Sequence, residues 1–122
     1  MVNPKLAVAL TGRKGEALEA YKKLLLQLNN EVVAQAPADL VINTHVCRGN
    51  YHSTFFSCGA YDSVADLLFG EENVNAYYLE YDDERSGGFA PLAKVSGDKK
   101  VVLGLVTTKS PALEKKEDVI AR

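Results

Sequence analysis

From Gly15 to Ala36 the apolar positions fall at helical spacing. Leu18, Tyr21, Leu25, Leu28 and Val32 recur every three or four residues, while Lys22, Lys23 and Glu31 lie off that face. Pro37 lacks an amide hydrogen and ends the helix. The pattern then changes to short apolar runs rich in β-branched and aromatic residues, each predicting a strand: ADLVINTHVC (38–47), VNAYYLEYD (74–82) and KKVVLGLVTT (99–108). Between the first two, YDSVADLLFG predicts a short helix with Asp62 or Ser63 as N-cap and Gly70 as its stop. FAPLAKV (89–95) predicts a turn or two of helix, and SPALEKKEDVIAR a cap followed by a helix with acids early. KLAVAL (5–10) fits a strand or a helical turn equally.

Strands alternating with helices predict right-handed crossovers and a parallel sheet, an α/β fold built of about three consecutive βα units. Within the first strand, Leu40, Ile42, Thr44 and Val46 share one face, and Val41, Asn43, His45 and Cys47 the other. The first face is apolar and is expected under helices. The second turns polar toward the strand's C-terminal end, where (β/α) barrels present catalytic side chains.

Composition narrows this picture. The chain has 122 residues, a one-domain length, and at 47% hydrophobic it can bury a core. A net charge of −2 without a basic run argues against a nucleic-acid partner. No apolar run approaches a membrane span. The opening MVNPKLAVALTG is too short and too weakly charged for a signal peptide. Two cysteines are too few for a disulfide framework, so a cytoplasmic protein with reduced thiols is expected.

Both histidines and both cysteines lie in THVCRGNYHSTFFSC, residues 44–58. His45 and Cys47 are two apart on a strand and project from one face, offering an imidazole and a thiolate to one point, which suits zinc. The bland alternative is a buried cysteine beside a histidine bonded to a backbone carbonyl. Glu80 ends the second strand with Leu79 and Tyr81 on the opposite face. A carboxylate there wants a partner, and it can supply a third ligand. Asp82, Asp83 and Glu84 beside it fit ordinary solvated acids. A rival local site would join His45, Cys47, His52 and Cys58 in a zinc knuckle, although H-x-C-x4-H-x5-C matches no standard finger. Arg48 can clamp a carboxylate or phosphate of a substrate, or form a surface ion pair. His52 is a candidate substrate contact. Asn50 and Ser53 fit turn formation. Tyr77, Tyr78 and Tyr81 fit packing, with one lining a pocket.

Three ordered segments, residues 37–70, 74–92 and 100–122, carry a resemblance to a known family. They resemble the C-terminal catalytic barrel of cobalamin-independent methionine synthases, and among these the shorter bacterial members. The resemblance covers about residues 15–122 and implies a (β/α)8 TIM barrel of which this chain is a single partial domain. It implies a zinc-dependent S-methyltransferase that moves a methyl group from a methyltetrahydrofolate to the thiol of homocysteine. It implies that His45, Cys47 and Glu80 are zinc ligands, with a fourth ligand, a cysteine, on a later strand that these 122 residues do not contain. The family's terminal segment of the third strand carries an Asp and a His, the His donating a proton to the leaving group. Here Thr107 and Lys109 stand at those positions, which makes Lys109 the candidate proton donor and leaves other methyl donors and thiol acceptors open. The chain alone is then expected to be inactive, and to self-associate or pair with the rest of a barrel. The alternative is a non-catalytic α/β fragment or metal-binding module that covers its sheet edges by self-association.

Overall fold

The computed structural model describes residues 2–122. Two helices open the chain. Helix α1, Pro4–Thr11, is fixed at both ends: the Asn3 side chain accepts from the Leu6 amide, Pro4 fills the first position, and Gly12 turns left-handed at φ 68° to return its N–H to Val8. KLAVAL therefore resolves as helix. Helix α2, Gly15–Val33, matches the sequence expectation within three residues at its C-terminus.

Its packing face does not match. Leu18 is buried and Tyr21 is half-buried, but Leu25, Leu28 and Val32 are exposed, and α2 docks through Leu18, Lys22, Leu26 and Asn30. The reason lies in the irregular segment it covers, whose free polar groups need partners. Asn30 donates to the Glu71 carbonyl and accepts the Asn73 amide, and Lys22 donates to the Ser63 carbonyl. These polar anchors turn the helix away from its most apolar stripe.

The strands are β1, Asn43–Val46; β2, Ala76–Glu80; and β3, Lys100–Gly104. They form a parallel sheet in the order β1-β2-β3, with Asn43 opposite Ala76 and Glu80 opposite Gly104. Each is shorter than its apolar run. Before Asn43 the parallel partner strand has not yet begun, and the Asn75 side chain, not a strand backbone, receives the Ile42 amide. Between β1 and β2 lie a 3-10 turn, Tyr61–Ser63, and a π-helical turn, Asp66–Glu71, in place of the expected α-helix. Gly70 sits inside that turn and does not end it. Two 3-10 turns, Glu84–Ser86 and Ala90–Lys94, separate β2 from β3, and helix α3, Lys116–Ala121, closes the chain.

The core lies on one face of the sheet. Tyr77 and Leu79 of β2 point into it beside Tyr61, Phe69 and Tyr81. The rings pack in a chain, tilted for Tyr61 and Tyr81 with centroids 5.1 Å apart, and edge-to-face for Phe69 and Tyr77 at 5.2 Å. The Tyr77 hydroxyl is satisfied by the Leu68 carbonyl. The opposite face, with His45, Tyr78 and Val102, is exposed. The fold is thus mixed α/β with a small three-stranded parallel sheet covered on one side. No helix among the described residues is long and apolar enough to cross a membrane.

Candidate functional site

The exposed face of the sheet floors a cleft of about 320 Å³ at the C-terminal ends of the strands, lined by His45, Cys47, Tyr78, Glu80, Asp82 and Lys109. Parallel register explains the gathering. His45 lies opposite Tyr78, so Cys47 lies beside Glu80 one pleat further on, and Glu80 lies opposite Gly104. A Cβ on Gly104 would stand 3.1 Å from the Leu79 carbonyl oxygen, so the glycine keeps the floor open beside Glu80. Lys109 enters from the segment beyond β3.

His45 and Cys47 are both exposed and face this cleft. The Cys47 sulfur accepts the Gly49 amide at 3.4 Å. Gly49 adopts φ 94°, and a side chain there would meet Phe56 at 2.9 Å, so the turn that holds this amide needs glycine.

Glu80 is held from several sides. Oε2 accepts the Arg48 backbone N–H at 2.5 Å, and the Arg48 guanidinium stands 3.6 Å from the same oxygen. Oε1 lies 2.7 Å from Lys109 Nζ. The Lys109 ammonium also donates to Asp82 Oδ2 at 2.8 Å, and Asp82 Oδ1 lies 3.5 Å from Arg85. Arg85 pairs in turn with Asp83 and stacks over Phe55 at 4.1 Å. Three carboxylates, Glu80, Asp82 and Asp83, therefore interlock with three cations, Arg48, Arg85 and Lys109. At Asp82, Arg85 and Lys109 burial works against the charge, but mutual pairing dominates; at Arg85 the bond to Asp83 leads and raises its pKa. Burial tends to raise the Asp82 pKa, yet hydrogen bonds from Lys109 and Thr107 and the nearby positive charges take it below the ordinary carboxylate range. Burial tends to lower the Lys109 pKa, yet bonds to Asp82 and Glu80 take it above the ordinary lysine value. An ammonium so held gives up its proton less readily than a free lysine, which disfavours proton donation and favours charge balance.

The other sequence candidates lie elsewhere. Arg48 is 2% exposed and bonds inward, to the Gly59 and Glu80 carbonyls and the Tyr61 hydroxyl, so its guanidinium ties the ends of β1 and β2 together. His52 is exposed at φ 49° in the tight turn Tyr51–Thr54, outside the cleft lining. Cys58 accepts from the Asn3 side chain, toward α1. His45, Cys47, His52 and Cys58 are thus not gathered as a knuckle. Among the described residues no three His, Cys, Asp or Glu side chains stand arranged around one point as a metal site. Glu80 faces the cleft, with Oε2 hydrogen-bonded to the Arg48 amide and Oε1 in ion contact with Lys109.

Sequence reasoning underrated Asp82, whose side chain is 4% exposed and not solvated, and missed Arg85. A carboxylate two residues beyond Glu80, with a lysine after the next strand, was the available signal.

The chain is 42% identical over 109 residues to the uncharacterized protein YxjG of Bacillus subtilis (strain 168), and 48% identical over 105 residues to YxjH of the same organism, also uncharacterized. These alignments take in 88% and 85% of this chain but 29% and 28% of the relatives. The chain thus spans less than a third of the length of the curated relatives it matches. No protein-family model and no solved structure matches it.

Proposed function

We propose that this chain is three consecutive βα units of a (β/α)8 barrel, and part of a zinc-dependent thiol S-methyltransferase of the cobalamin-independent methionine synthase type. One observation carries the reading. His45 and Cys47 at the end of β1 and Glu80 at the end of the adjacent parallel β2 face a single cleft. Sequential order, parallel register and functional side chains at the C-terminal strand ends are what a barrel segment has. The relatives, more than three times longer, are long enough for the roughly 250 residues of a full barrel.

The donor set fits zinc: imidazole, thiolate and carboxylate are its ordinary ligands. The Glu80 oxygen on the cleft side already faces a cation, the Lys109 ammonium. His45, Cys47 and Glu80 would hold the ion, with a fourth ligand from outside this chain. The chemistry such an ion supplies is ionisation of the acceptor thiol, since the thiolate is the nucleophile. Arg48 fixes the orientation of Glu80 through its amide, the outer-shell bond that a ligating carboxylate usually has. Lys109 and Arg85 balance the charge of Glu80 and Asp82. In the transfer itself, a C–S bond forms as the donor's C–N bond breaks, the thiol proton goes to solvent, and the departing nitrogen takes one up. Homocysteine is the proposed acceptor and methyltetrahydrofolate the proposed donor. Lys109 is the candidate for supplying that proton that the resemblance suggests, and its pairing makes it a weak one.

The test is zinc content per purified chain, with homocysteine methylation measured in parallel. The reading expects bound zinc that is lost in Cys47→Ser and Glu80→Ala and retained in Cys58→Ser, and no methylation by the chain alone. Loss of zinc with Cys58→Ser would favour a local knuckle and sink the barrel-site reading. A second reading, a non-catalytic module that self-associates, draws on the exposed sheet face, where Tyr78 is 45% and Val102 42% exposed.

A further inference from the structure

Lys109 lies 2.7 Å from Glu80 Oε1 and 2.8 Å from Asp82 Oδ2. Its side chain is only 12% exposed, and those of Glu80 and Asp82 are 7% and 4% exposed, so water screens these pairs weakly. The two Glu80 oxygens have different duties. Oε2 is committed to the Arg48 amide, which is backbone and cannot withdraw without moving the end of β1. Oε1 is held by a side chain, and a lysine stem is long and flexible. Asp82 offers that ammonium a second seat, because it accepts the same nitrogen already. The remaining charged neighbours, Arg48 and Arg85, face Glu80 at 3.6 and 3.9 Å and are anchored elsewhere, to Gly59 and to Asp83.

We propose that Lys109 is a built-in competitor for the metal: its ammonium and a divalent cation claim the same Glu80 oxygen, Oε1, and Asp82 retains the ammonium when it yields. This rests on the zinc reading of His45, Cys47 and Glu80 and assigns Lys109 a different role from proton donation. The segment carrying Lys109 is tied down independently. The Thr107 amide donates to Glu114 at 2.8 Å, and Asn50 donates to the Thr108 hydroxyl at 2.5 Å. The lysine can therefore change partners without the loop moving. The competition sets how tightly the site takes a cation. A positive charge in contact with a ligand oxygen opposes any second cation there, and removing it strengthens cation binding.

The experiment measures zinc affinity against a chromophoric chelator for the wild-type chain, Lys109→Met, Lys109→Arg and Cys47→Ser. Lys109→Met keeps the length of the stem and removes the charge. It is expected to bind zinc about tenfold more tightly than wild type, and Lys109→Arg within about threefold of it. Cys47→Ser reports on the metal site itself. If wild type binds zinc and Cys47→Ser does not, but Lys109→Met binds no more tightly than wild type, the competition is refuted and the zinc reading stands. If neither wild type nor Lys109→Met binds zinc, both fail. If Lys109→Met does not fold, the readout moves to the wild-type chain: trinitrobenzenesulfonate labelling of Lys109, followed by peptide mass mapping. Labelling is expected to quicken when zinc is added, and an unchanged rate refutes the proposal.

Discussion

Arg48 gives its backbone N–H to Glu80 Oε2 at 2.5 Å and its guanidinium to the Glu80 carbonyl oxygen at 3.0 Å. One residue thus grips both the side chain and the main chain of its neighbour across the sheet. The grip sets Cys47, adjacent in sequence, beside Glu80. Arg48→Ala leaves the Gly59 and Glu80 carbonyls and the Tyr61 hydroxyl short of a buried donor. It is expected to destabilise the chain by about 3 kcal/mol, as for other broken buried pairs. Arg48→Lys recovers little, because an ammonium cannot span the same three acceptors. Urea unfolding of the two variants checks both statements.

A second buried acid makes the opposite prediction. Glu72 is 4% exposed and lines a mainly apolar cavity of about 440 Å³ between the helices and β1. Burial raises its pKa above the ordinary value, and bonds from Thr44 and Asn29 and the charge of Lys99 only partly offset that. The folded state therefore holds this proton more tightly than the unfolded state. Stability from this group is present at low pH and declines as pH rises from the unfolded pKa through the raised folded one, then stays low at neutrality. Glu72→Gln should be more stable than wild type at pH 7, with the gap closing below about pH 4.5. Thermal melts across that range give the answer, and a Gln variant that is less stable at pH 7 contradicts it.

His52 and Ser53 stand at φ 49° and 60°, a left-handed region that costs a side chain about 1 kcal/mol or more per residue. Their turn is closed by Tyr51 and Thr54, which exchange backbone hydrogen bonds at 3.0 and 2.9 Å. Ser53→Gly should raise stability by up to about 1 kcal/mol. His52→Gly should do likewise and leave zinc content unchanged. A loss of zinc in His52→Gly would return this histidine to the list of ligands.

The sheet ends at β1 on one side and β3 on the other, with the cleft face bare between them. Unpaired parallel edges next to exposed Tyr78 and Val102 predict self-association of the isolated chain. Sedimentation should show mass rising with concentration, and Val102→Lys should shift it toward monomer. A wild-type chain that stays monomeric at high concentration speaks against both the barrel-segment and the self-associating readings of this face.

Much of this arrangement was legible in the sequence where period and chemistry agreed. The three strands carry β-branched and aromatic runs, and the two-residue period by itself puts His45 and Cys47 on one face. Alternation of elements gave a parallel sheet, and parallel order brought Glu80 to the same end. What escaped was set by partners far along the chain. The docking face of α2 follows Asn30 and Lys22, whose acceptors lie some forty residues away. The segment Asp66–Glu71 winds as a π-turn around Phe69 and not as an α-helix. Asp82 reads as solvent-exposed until Lys109 and Arg85 fold over it. Arg48 looks like a surface clamp until the carbonyls of Gly59 and Glu80 surround it.

The central claim is that one thiolate of this chain, with an imidazole and a carboxylate, forms most of a zinc site. The most direct measurement is the X-ray absorption fine structure of the zinc-loaded chain. The account predicts a single sulfur per zinc at about 2.3 Å, with nitrogen and oxygen completing the shell. Two sulfurs per zinc would mean that Cys58 joins Cys47 in a local knuckle, and a shell without sulfur would remove Cys47 from the site. Either result contradicts it.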